Sequence, residues 1–166
     1  MITIPKSSAL KILKTKKQPK HKAESYTFWD EGLSILELRK RFPDLFWDQE
    51  WYDKEPFASR TDTPKMKTIR ILEDSYGKTI SQQKALLLEG EELVKVREII
   101  MLSILLKKDN SEIPMMREGW VRCGEQAAEG NWVDADWRGG RLRFGGWDGD
   151  AEDGVGSASV RTSRET

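Results

Sequence analysis

The sequence contains one cysteine, Cys123, and one histidine, His21. A lone cysteine excludes an internal disulfide framework and any cysteine-rich zinc site. A Ser-His-Asp triad, a Cys-His dyad or a histidine metal site would have to draw on His21, which stands among lysines near the N-terminus. Those catalytic classes are set aside on that ground. Long apolar runs are missing too: the longest is Ile99 to Leu106, interrupted by Ser103. A bilayer span takes roughly 20 residues, so this stretch reads as a core helix and no membrane span is expected. No apolar segment follows the opening Met1-Ile2-Thr3-Ile4-Pro5-Lys6, so no secretory signal is expected. The chain reads as cytoplasmic by default, with surface display left open.

Net charge is also missing: 28 Lys and Arg meet 28 Asp and Glu over 166 residues. The zero is a sum over unlike parts. Residues 1–22 hold seven Lys and no acid, a +7 arm; residues 23–123 are near −3; residues 124–166 are near −4, with nine acids against five Arg. A basic arm on an acidic body follows. Three segments are expected: a basic flexible arm (1–24), an aromatic-rich extension packed on the domain (25–64), and the main domain (65–166). The arm offers one function, binding nucleic acid or another anionic surface.

Between residues 26 and 58 lie Tyr26, Phe28, Trp29, Phe42, Phe46, Trp47, Trp51, Tyr52 and Phe57. Such rings serve a core or a subunit contact, so an oligomer is considered. Asp30 is read as the cap of a helix that runs to Arg41 and stops at Pro43. Met66 to Leu72 reads as a strand. Thr79 or Ser81 caps a short helix through Ala85 to Leu88. Glu91 and Glu92 open a second helix, whose apolar period runs from Leu93 to Leu105 and ends on Lys107 and Lys108.

After Pro114 the pattern changes to strands. Trp120–Cys123 is short. Residues 131–137 and 141–144 alternate around the turn Arg138-Gly139-Gly140, and Val155–Arg161 is the last strand. Alternation puts Val133, Ala135, Leu142, Phe144, Ala158 and Val160 on a core face. Trp132, Asp134, Asp136, Trp137, Arg141, Arg143, Trp147, Asp148, Asp150, Glu152 and Asp153 are assigned to an outward face. Its rings and guanidinium groups supply anchors and its acids polar contacts, which suits a macromolecular ligand, above all a protein.

Asp148-x-Asp150-x-Glu152 opens like a calcium loop. The positions that need Gly and a bidentate acid hold Asp153 and Ser159, so an EF-hand fails. The glycine-rich run lacks both phosphate-binding signatures. No cofactor, no metal and no enzymatic activity are expected.

Trp120-Val121-Arg122-Cys123, a Gly- and acid-rich run, and the closing Val155-Gly156-Ser157-Ala158-Ser159-Val160-Arg161 together resemble the variable proteins of diversity-generating retroelements. The likeness is to the forms in ultra-small uncultivated bacteria and archaea, and it covers about residues 65–166. The resemblance implies an α+β, C-type-lectin-like fold of the formylglycine-generating-enzyme type: two helices, a small and mostly antiparallel sheet, and a loop-rich C-terminal ligand face. It implies hypervariable residues at about 124–155 that bind diverse ligands. In that family an error-prone reverse transcriptase rewrites template adenines, and residues 147–154 are rich in the Gly, Asp and Ala that such rewriting yields. The cysteine pair of the family's enzymes is absent, since Cys123 stands alone. The sugar-binding tripeptides of the calcium-dependent lectins are absent as well.

Overall fold

The structure, a computed structural model, describes residues 24–109 and 119–162. The arm assigned to residues 1–24 thus falls, but for Glu24, outside the described residues. The chain is mixed α+β. Strands β1 (Ser25–Asp30), β2 (Lys65–Leu72), β3 (Glu92–Leu93), β4 (Trp120–Gln126), β5 (Trp132–Arg138), β6 (Arg141–Trp147) and β7 (Val155–Thr162) form one sheet. Its order is β1-β2-β7-β4-β5-β6, with β3 beside β7. All pairs are antiparallel except β4 with β7. The helices are α1 (Ile35–Arg41), α2 (Pro56–Ser59), α3 (Ile80–Lys84) and α4 (Val96–Lys108). None is long and apolar enough to cross a membrane.

One face of the sheet, here the inner face, packs under α4. Residues paired across strands share a face, and the buried set is continuous: Tyr26, Phe28, Ile69, Ile71, Val121, Cys123, Val133, Ala135, Leu142, Phe144, Ala158 and Val160. The six residues assigned to the core by alternation are all in it. Helix α4 is buried nearly all round, because the sheet lies on one side and α1 on another.

Residues 25–64 are part of this sheet and core. β1 is its edge strand, and Tyr52 and Phe57 are buried with the rest. At the opposite edge, Trp47 N donates to Leu142 O at 2.9 Å, and the Gln49 amide both donates to Phe144 O (3.0 Å) and accepts from Phe144 N (2.9 Å). A backbone group and one side chain thus close β6 as a further strand would.

Several expected boundaries move. Asp30 caps no helix: it ends β1, buried, and Ser34 caps α1 in a box with Glu37. Thr79 does cap α3, in a box with Gln82, but the helix ends at Lys84, before the apolar run 85–88. Glu91 and Glu92 open no helix. Val94 N donates to Ala158 O and Val94 O accepts from Gly124 N, both at 2.9 Å. The chain at 92–94 is therefore held between β4 and β7 as a strand. α4 starts only at Val96, whose N–H is capped by the Glu125 carboxylate at 3.0 Å. Its C-terminal Lys107 and Lys108 stand as expected.

Candidate functional site

The other face of β4, β5 and β6 carries Trp120, Arg122, Trp132, Asp134, Asp136, Arg143 and Trp147. The registers Arg122 with Asp134, Asp136 with Arg143, and Trp132 with Trp147 put them in cross-strand rows. Alternation assigned this face to solvent, and for Asp134 and Asp136 that is wrong, since both are buried. Asp136 is covered by Arg143, and Asp134 lies under a second layer. The turn before α3, α3 itself and the 148–154 loop lie over the middle of this face.

Arg122 marks that layer. Its side chain is fully buried. Its guanidinium donates to Asp150 O (2.9 Å), to Lys78 O (3.3 Å) and to Gln83 Oε1 (3.4 Å). Gln83 in turn donates to Ser75 O (3.0 Å) and Val155 O (3.3 Å). Beside Arg122, neither carboxylate oxygen of Asp134 has a hydrogen-bond partner among the described residues, and neither does Arg122 Nε. Burial pushes the Asp134 carboxyl up to about 8, against the opposing pull of Arg122.

Asp136 has the opposite environment. Arg143 grips it with two hydrogen bonds, at 2.8 and 3.2 Å. The same guanidinium lies 4.4 Å from the Trp120 ring centre and 5.9 Å from that of Trp47. The Trp120 ring packs over Gly145, where an added Cβ would come within 3.2 Å of it. Trp120, Arg122 and Trp47 were not among the residues assigned to the face. Trp120 and Arg122 share one phase of the alternation, so a signal for them was present. Trp47 comes from a distant segment without a period.

The rim is open. Trp147 is 38% exposed. Its partner Trp132 is half-buried, with the Lys84 ammonium 4.6 Å from its ring centre. Gly149 has φ +107° and lies so close to Trp132 that a Cβ would sit 2.9 Å from the ring, so a side chain is excluded there twice over.

Around Gly149, Asp148, Asp150, Glu152 and Asp153 are assigned to the ligand face, and the loop's backbone is held. Glu152 and Asp153 are exposed, as is Asp148. Ile80 N donates to Gly149 O (2.9 Å), Gly77 N and Val155 N to Glu152 O (3.2 and 3.1 Å), and Trp120 N to Gly154 O (2.9 Å), in addition to Arg122 on Asp150 O. Within the loop, Asp150 N donates to the Asp148 carboxylate at 3.0 Å.

Of the remaining assigned residues, one lies on the inner face and one at the tip of this face. Trp137 pairs with Leu142 on the inner face and packs half-buried against the core, which corrects its assignment to the outward face. Arg141 is exposed at the hairpin tip, lining a groove of about 540 Å³ with Leu36, Lys40, Pro43, Asp44 and Trp47 among others.

A separate cluster lies under the start of α4. Carboxylate oxygens of Asp30, Asp62 and Glu98 come within 4.8 Å of one another, a spacing that would hold a metal ion. The Lys67 ammonium occupies this position, 2.9 Å from Asp30, 2.7 Å from Asp62 and in contact with Glu98. Arg97 adds a second cation, bonded to Asp30 and 3.3 Å from Asp62. Burial raises the Asp30 carboxyl, but the bonds from Arg97, Gly32 and Lys67 outweigh it and hold it below the usual range. Burial likewise pulls the Lys67 ammonium down, and its three acids more than restore it. The cluster is an ion-paired latch between β1, β2 and α4, with lysine as its resident cation.

Cys123 is buried, and burial pushes its thiol well above the usual value, so it is not presented as a nucleophile. Comparison of the chain with protein-family models, with curated proteins and with solved structures finds no match in any of the three.

Proposed function

We propose that the chain is a ligand-binding display module without enzymatic activity, a diversity-generating-retroelement variable protein with a C-type-lectin-like scaffold. Its C-terminal face binds a macromolecular ligand, a protein surface above all. One observation carries the reading. The 148–154 loop is anchored through its main chain, by bonds to the carbonyls of Gly149, Asp150, Glu152 and Gly154, while acidic side chains of the loop face solvent. Anchors of that kind are largely indifferent to side-chain identity, so the exposed residues can change while the loop keeps its shape.

The adjoining rim supplies what a binding face needs. Trp147 and Trp132 are rigid rings at the surface, and Arg141 is an unburied cation at the hairpin tip. The buried Arg122, Asp134 and Asp136, with the half-buried Arg143, lie beneath as a platform. The ligand face is therefore narrower than alternation alone gave: Arg141, Trp147, Asp148, Asp150, Glu152 and Asp153, with Trp132 at its margin.

A library randomised at Arg141, Trp147, Asp148, Asp150, Ala151, Glu152 and Asp153, displayed and challenged with protease, tests the scaffold. Most members should resist as the parent does, whereas a library at Val133, Ala135 and Phe144 should be largely cleaved. Equal cleavage of both would remove the display reading. The family assignment has its own test in the gene. A near-identical copy of the DNA for residues 124–161, differing mainly at adenines and lying near a reverse transcriptase gene, is expected.

A further inference from the structure

We propose that the open edge of β1 pairs with the β1 of a second copy of this chain, giving a two-fold dimer with one continuous sheet. The two edges of the sheet are treated differently. β6 is closed by Trp47 and Gln49. Along β1, nothing among the described residues pairs with the outer edge. Ile71 N donates to Glu24 O at 2.8 Å, in the register that pairs Tyr26 with Ile69 and Phe28 with Lys67. Alternation in an antiparallel ladder then turns the backbone groups of Ser25, Thr27 and Trp29 away from β2, outward.

Among the described residues this edge carries little protection, the one charge on the strand being Asp30 at its end. Ser25 to Trp29 contains no charge and no proline. Trp29, 50% exposed, lies beside Met66, 39% exposed, on the face away from α4. An apolar pair thus flanks a row of unpaired donors and acceptors.

The geometry selects a second copy as the occupant. With one edge closed, addition at β1 ends after one partner, which is the condition for an isologous dimer rather than a fibre. A two-fold axis at Phe28 sets Phe28 opposite its own copy and Thr27 opposite the partner's Trp29, once on each side. An aromatic ring over a β-branched residue is a favourable cross-strand pair. The acid at the end of the strand, Asp30, is already bound by Arg97 and Lys67, so the two copies meet without repulsion between those carboxylates.

Sedimentation velocity of the full chain over a dilution series tests this. The wild type should show a monomer–dimer equilibrium. Trp29→Lys should weaken it at least about tenfold. Thr27→Pro should do the same by removing one outward N–H, a substitution edge strands tolerate. Arg138→Ala, which changes an exposed residue at the β5–β6 turn toward the opposite edge of the sheet from β1, should leave it unaltered. Near-UV circular dichroism of Trp29→Lys confirms that the monomer is folded. A wild type that stays monomeric throughout, or a dimer that neither variant weakens, overturns the proposal.

Discussion

Asp134 and Arg122 set fold and charge against each other at single positions. Asp134 is buried with no donor to its oxygens among the described residues, and its carboxyl is held up to about 8. In the unfolded chain it titrates near 3.9. Between those values the folded state keeps a proton that the unfolded state has lost, so stability falls as pH rises through this window. One such group contributes a slope of at most about 1.4 kcal/mol per pH unit. Glu125, whose pKa is also raised by burial, works in the same direction. Asp134→Asn should flatten the decline and raise stability most at the alkaline end, read by urea denaturation near both ends of the window. A loss at the alkaline end would mean that Asp134 is ionised and paired with Arg122. Lys67 is the converse case, a buried cation that three carboxylates need. Lys67→Met should cost about 3–5 kcal/mol, because Asp30 and Glu98 stay buried with one partner fewer. A cost near zero would mean that water reaches them.

Elements show where sequence patterns sufficed and where they failed. The inner faces of β5, β6 and β7 follow from alternation, because hydrophobic phase alone fixes which side is buried. The body of α4 follows from its period and its terminal lysines. Its start does not, since Leu93 and Val94 fit a helix equally well. What decides is the pairing of Val94 with Ala158 and Gly124, both far downstream in the chain and outside any local window. The burial of Asp134 and Asp136 fails for a related reason: a period names a side of the sheet but not what covers it. The closure of β6 by Gln49 leaves no mark in the local pattern either. It can be tested at this scale. Gln49→Ala removes two hydrogen bonds, each worth about 0.5–1.5 kcal/mol, so a loss of about 1–3 kcal/mol is expected. Amide exchange at Phe144 should accelerate while exchange at β7 is unchanged. Unaltered exchange at Phe144 would mean that the edge is closed by other means.

At the scale of the whole chain, the zero net charge takes on a location. Four of the nine acids of residues 124–166 are Asp148, Asp150, Glu152 and Asp153, all on a loop whose backbone is fixed by its carbonyls. The acids built into the fold are others: Asp30, Asp62 and Glu98 in the latch, and Glu125, Asp134 and Asp136 within the C-terminal region. The charge of the loop is therefore separable from the fold, as a display face requires. Converting the four loop acids together, Asp148→Asn, Asp150→Asn, Glu152→Gln and Asp153→Asn, raises the net charge at neutral pH by four. The acceptor that Asp148 offers to Asp150 N is kept by the asparagine. Surface substitutions that leave such features intact usually change stability by no more than about 0.5 kcal/mol each. The variant should shift strongly in native electrophoresis, with an unfolding free energy within about 2 kcal/mol of the parent. A larger loss would show that these side chains hold the loop in place, and that the face is structure rather than a surface free to vary.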